Sequence, residues 1–117
     1  MDVLEFVTAL KKAVRDGAEQ EAEYLASPPS SRPPAHLARF ASWVQGLTDA
    51  DRAELRDLLR YVAEGGLFAA LTYLDNLATL THEGGRFELW FAPENGERIL
   101  LNDPDGDLLK DLFNNSD

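Results

Sequence analysis

The stretch from Gly65 to Asp75, Gly-Gly-Leu-Phe-Ala-Ala-Leu-Thr-Tyr-Leu-Asp, constrains this chain more than any other. It is the most apolar segment, with Thr72 and Tyr73 as its only polar side chains before Asp75 and Asn76. A helix that is apolar nearly all round has to be covered on most sides. The sequence therefore places this helix at the centre, with helices before it and strands after it packed around it.

Three helices are expected upstream. Val3, Phe6, Val7, Leu10, Ala13 and Val14 recur at helical spacing, and Ala18, Ala22 and Leu25 continue the stripe. This predicts one long helix to about residue 26, with Asp2 and Glu5 in the first turn, where the helix dipole favours acids, and with Gly17 as a weak point. Two Pro-Pro pairs make residues 27–34 a semi-rigid connector without the Pro-x-x-Pro spacing of a recognition motif. Leu37, Phe40, Ala41, Trp43 and Val44 predict a second helix with a wide apolar face, ended by Gly46 in a left-handed conformation. Thr48, with Asp51 three residues on, predicts a cap for a third helix whose core stripe is Leu55, Leu58, Leu59 and Val62. Gly65-Gly66 is expected to end it and to turn the chain into the central helix.

After Asn76 the pattern changes to strands. Thr79 and Thr81, followed by Glu83-Gly84-Gly85, favour a strand over residues 77–82. Phe87, Leu89 and Phe91 alternate with Arg86, Glu88 and Trp90, which predicts a second strand, and Asn95-Gly96 predicts a tight two-residue hairpin. That loop sets Phe91 opposite Leu100 and Trp90 opposite Leu101. One face is then Phe87, Leu89, Phe91 and Leu100, directed at the helices. The other carries Trp90, Ile99 and Leu101 toward solvent. Asp107 is expected to cap a short last helix, Leu108 to Phe113, before a frayed tail. Helices segregated from strands predict an α+β fold: N-terminal helices around a central apolar helix, a small antiparallel β-meander and a short C-terminal helix, in a single domain over residues 1–117.

Charge narrows the function classes. The chain carries 21 acids against 11 bases, a net charge of -10, with no cysteine. The excess is concentrated in residues 65–117, which hold 10 acids and 3 bases, whereas residues 27–47 hold 2 bases and no acid. Such a field repels nucleic acid and anionic lipid and draws in basic partners. Without cysteine there are no disulfides, thiolate metal sites or thiol nucleophiles. No apolar run approaches the roughly 20 residues of a membrane span, and Met-Asp-Val-Leu-Glu-Phe-Val does not read as a secretion signal. A soluble, cytoplasmic protein is expected.

The candidate chemistries are thin. Asp103, Asp105 and Asp107 alternate around Gly106, but an EF-hand needs glycine and glutamate where Leu108 and Asn114 stand. His82-Glu83 begins a zinc-hydrolase motif that Arg86 ends, and the other histidine, His36, is distant in sequence. Arg52, Arg56 and Arg60 form a ridge that Asp49, Asp57 and Glu64 can pair. No cofactor or metal is expected. Asp75, at the end of the most apolar segment with Asn76 beside it, is the one carboxylate placed for perturbation, or else a helix-end cap. The Trp90, Ile99 and Leu101 face, rimmed by Glu88, Glu97 and Arg98, has the composition of a protein interface.

The run Gly66-Leu-Phe-Ala-Ala-Leu…Leu74-Asp75-Asn76, followed by Leu101-Asn102-Asp103-Pro104 and Leu109-Lys110-Asp111-Leu112-Phe113, resembles small uncharacterised bacterial α+β proteins of similar length. The likeness covers roughly the C-terminal half and brings no catalytic motif. In size and acidity the chain is also similar to bacterial immunity and inhibitor proteins that cap a toxin, a likeness of type rather than of motif. The leading expectation is a non-catalytic acidic module that binds a basic protein partner. The alternatives are a self-associating structural protein, with the sheet face as a homodimer interface, and a small enzyme using Asp75.

Overall fold

A computed structural model of the chain describes residues 1–29 and 33–116. The middle of the proline-rich connector and the last tail residue lie outside the described residues. The fold is α+β: α1 (Val3–Ala26), α2 (Ala35–Gln45), α3 (Asp49–Leu74), β1 (Trp90–Phe91), β2 (Ile99–Leu100) and α4 (Leu109–Asn115). The strands form a two-stranded antiparallel sheet. Packing divides the chain into two compact units, Met1–Lys12 with Gly65–Asp117, and Ala13–Glu64.

The central helix is not a separate element. Helix α3 runs without interruption through Gly65 and Gly66, where the sequence predicts a stop. The reason lies in the large side chains that follow. Leu67, Phe68, Leu71 and Leu74 recur at helical spacing and all enter the core of their unit, and that burial outweighs two glycines at about 1 kcal/mol each. Nor is the segment covered all round: Gly65, Gly66, Ala69 and Ala70 are its exposed side. A Cβ at either glycine would meet nothing within 4 Å. Replacing both by alanine is therefore expected to stabilise the protein by about 1–2 kcal/mol. A rise in the urea midpoint checks this, and a fall would show that the glycines are needed as such.

In the unit built from Met1–Lys12 and Gly65–Asp117, Val7, Leu71, Leu109 and Phe113 are buried together, with Val3, Phe6, Leu10 and Leu112 packed against them. The Phe68 and Phe113 rings meet at 5.8 Å in a tilted arrangement favoured by the ring quadrupoles. Lys11 is buried among them. Its ammonium donates to the carbonyls of Phe113 and Ser116 at 2.7 Å each and lies 4.3 Å from the Phe113 ring centroid. It thus supplies the C-terminal cap of α4, where a cation is favoured by the helix dipole.

In the unit Ala13–Glu64, Ala18, Ala22, Ala41 and Val44 are buried. Helix α1 passes Gly17 unbroken, as the stripe predicts. Thr48 caps α3, its Oγ1 accepting from the Asp51 amide at 3.1 Å. Gly46 closes α2 with φ -82°, in the right-handed rather than the expected left-handed region. The carbonyls at that helix end are taken by Arg52, whose guanidinium donates to Val44 O at 3.1 Å and Gln45 O at 2.7 Å.

The strands are shorter than the alternation predicts, and their register differs. Trp90 pairs with Leu100 and Phe91 with Ile99, one residue away from the tight-turn expectation. A type I′ turn needs positive φ at both central residues, but only Gly96 has it (φ 118°), not Asn95. Residues 92–98 consequently form a longer loop. No strand forms over residues 77–82, which are bends and irregular backbone.

Candidate functional site

The polar residues singled out around Asp75 do come together, as a structural clip. Asp75 Oδ1 accepts from the Leu109 amide at 2.7 Å and Oδ2 from the Lys110 amide at 2.9 Å. Both carboxylate oxygens are thereby spent on the N-terminus of α4, whose own N-cap residue, Leu108, makes no side-chain cap bond. The cap expected of Asp107 is thus supplied by a residue 34 positions upstream, in the role that satisfies a helix's orphan amides.

Asn76 adopts the left-handed conformation, φ 61°, which asparagine tolerates better than most residues. Its Oδ1 accepts from Phe87 N at 2.8 Å, and its Nδ2 donates to Phe87 O at 3.1 Å. A side-chain amide thus replaces a β-bridge and closes the ends of the 77–86 loop. Asn102, which sequence reasoning did not single out as a site residue, is the buried centre of the clip, 4% exposed. Its Oδ1 accepts from Leu89 N at 2.8 Å, and its Nδ2 donates to Leu74 O at 2.6 Å and Phe87 O at 2.9 Å. The signal for it is one polar side chain following the apolar run Ile99-Leu100-Leu101. Asp75, Asn76 and Asn102 border a cavity of about 100 Å³.

The expected Trp90, Ile99 and Leu101 face is not assembled. A one-residue change of register moves every side chain of a strand to the other face. Ile99 and Leu101 therefore lie on the side of Phe91 and Leu89, while Trp90 shares its side with Leu100. The Leu101 amide donates to Leu89 O at 2.8 Å, continuing this pairing, and Leu101 is buried at 4%. Trp90 is 40% exposed but already partnered: the Arg98 guanidinium lies 4.5 Å from its ring centroid and its Nε1–H donates to Glu88 at 3.3 Å. Glu97 is exposed and makes no such contact with it.

The larger apolar surface is on the helices of the Ala13–Glu64 unit, where a core stripe was expected. Leu55 and Leu59 are half-buried, but Leu58 is 56% exposed, Tyr61 75% and Val62 60%. Of the predicted face of α2, Ala41 and Val44 are buried, while Phe40 and Trp43 are not, Trp43 being 58% exposed. Trp43, Leu47, Leu55 and Leu58 line an open groove of about 410 Å³ between α2 and α3, and Asp51 and Glu54 complete it.

The arginine ridge is structural, as the pairing reading expects of two of its members. Arg52 pairs with Asp49 at 3.4 Å and Arg60 with Glu64 at 3.3 Å. Arg15 also pairs with Glu64. Burial alone raises the Glu64 carboxyl, but the hydrogen bonds and charges of Arg15 and Arg60 outweigh it and hold it below the usual range. Among the described residues no helix is long and apolar enough to cross a membrane, and no three histidine or acidic side chains group closely enough to hold a metal ion. No protein-family model, no curated protein and no solved structure matches the chain.

Proposed function

We propose that this is a non-catalytic, acidic protein-binding module, of the type that immunity and inhibitor proteins represent, acting by covering a partner. The observation that carries the reading is the exposed apolar face of Trp43, Leu58, Tyr61 and Val62 in the Ala13–Glu64 unit. Aromatic and aliphatic side chains clustered beside a groove are the usual anchors of a protein interface. The face replaces Trp90 as the proposed anchor, because Trp90 is engaged by Arg98 and Glu88. The enzyme alternative loses its main support, since both Asp75 oxygens hold the α4 amides. Self-association would use the same face, but the net charge of -10 opposes it.

A photo-crosslinking residue at position 58, introduced in the native host, tests this. A discrete adduct with another protein is expected there and not from the same residue at Gln20, an exposed position on α1. Adducts only with a second copy would assign the face to a homodimer. No position-dependent adduct would overturn the reading.

A further inference from the structure

The charges around the exposed face define what can sit on it. At 3.6 residues per turn, Asp51, Glu54, Leu55, Leu58, Tyr61 and Val62 of α3 fall within one arc of about 120°. Asp57 flanks that arc. The basic residues of the same helix lie off it: Arg52 is turned to the α2 carbonyls, Arg60 to Glu64, and Arg56 falls between those two on the helical wheel. On α2, Arg39 is stacked over the Phe40 ring at 4.9 Å and is not part of the groove lining. The groove floor is thus Trp43, Leu47, Leu55 and Leu58, and its charged lining is wholly acidic.

Resting on the protein-binding reading above, we infer that the α2–α3 groove takes a basic amphipathic helix. Its apolar side chains at i, i+3, i+4 and i+7 would lie against Trp43, Leu47, Leu55 and Leu58. Its lysines or arginines would meet Asp51 and Glu54. This is the helix-in-groove mode, in which apolar anchors give affinity and flanking charges give orientation. A second copy fits poorly, because a two-fold contact sets this face against itself, and the charged lining it brings is again wholly acidic. An acidic helix meets the same repulsion.

The test uses three dye-labelled amphipathic peptides of about 18 residues, long enough to form a helix on binding. They share one leucine spacing and carry lysine, glutamine or glutamate on the polar face. Anisotropy titrations with the full chain are expected to show the Leu/Lys peptide binding most tightly and weakening as salt rises. The Leu/Gln peptide should be roughly tenfold weaker and the Leu/Glu peptide weaker still. Leu58→Glu, checked for fold by circular dichroism, should abolish binding. The pair Asp51→Asn with Glu54→Gln should bring the Leu/Lys peptide to the level of Leu/Gln. The pair Glu19→Gln with Glu23→Gln removes the same charge from exposed positions of α1 and should leave affinity unchanged.

If both charge pairs weaken binding equally, attraction is to net charge alone and the groove assignment falls. If Leu/Gln binds as well as Leu/Lys and Leu58→Glu still abolishes it, the groove is a binding site but the basic partner is wrong, so the protein-binding reading survives the loss of this inference. If no peptide binds, the inference is overturned, and the crosslink at position 58 decides the broader reading separately.

Discussion

Replacing Asn102 by alanine is expected to destabilise the protein by about 2 kcal/mol, although the residue is small and belongs to no helix or strand. The cause is what it leaves behind. Its side chain satisfies the Leu89 amide and the carbonyls of Leu74 and Phe87. Removing it orphans the Leu89 amide and leaves the Leu74 and Phe87 carbonyls with only the Asn76 amide, at 3.3 and 3.1 Å, at a position that is 4% exposed; an unsatisfied buried group costs about 1–3 kcal/mol. The lower end applies because Leu74 and Leu89 are only half-buried and Phe87 is exposed, so water recovers part of the loss. Asn102→Asp is expected to be no better, since it keeps the acceptor but presents a carboxylate oxygen to two carbonyls. Asn76→Ala should lose less, about 1 kcal/mol, because Asn76 is exposed and its Phe87 partners can turn to water. Urea midpoints with unchanged slopes measure all three. A midpoint shift for Asn102→Ala equivalent to less than about 1 kcal/mol would show that the clip is not the organising centre of this region.

The Asn102 clip also explains which parts of the fold were legible in the sequence. Local signals were read where local physics decides. The stripe of α1 carried it past Gly17, and Thr48 capped α3 as its spacing with Asp51 predicts. The α+β class followed from helices preceding strands. What failed was decided at long range. The threonines predict a strand over residues 77–82, but the loop that contains them is closed by Asn76 and Asn102 side chains bonding Phe87 and Leu89, contacts made across 11 to 15 residues. The α4 cap comes from Asp75, and no window around Leu108 contains it.

The hairpin shows how a small error propagates. Asn95-Gly96 is a strong turn signal, yet Asn95 does not take the positive φ that the two-residue turn requires. The resulting one-residue change of pairing placed Leu101 in the core and separated Trp90 from Ile99. Trp90, Ile99 and Leu101 therefore do not share one face, while Leu58 and Val62, which the stripe places in the core, are exposed. Periodicity reports that a helix has an apolar side. It does not report whether the protein itself covers that side or leaves it for a partner.

That distinction gives the sharpest contrast between two leucines of one helix. Leu71 and Leu58 both sit in apolar stripes of α3, and the sequence alone ranks them alike. Leu71 is 1% exposed and packed with Val7, Leu109 and Phe113. Leu71→Ala is expected to cost about 3–4 kcal/mol, from lost burial plus the cavity that surrounding side chains fail to fill. Leu58→Ala removes a side chain that is 56% exposed, and should change stability by no more than about 0.5 kcal/mol. Denaturant unfolding of the two variants, at a protein concentration low enough to exclude association, measures both. A loss at Leu58 comparable to that at Leu71 would mean that the chain covers this face in solution, which would remove the groove as a binding site. A negligible loss leaves a large apolar side chain exposed with no role in holding the fold. Its apolar surface is then free for the contact that the proposed groove requires.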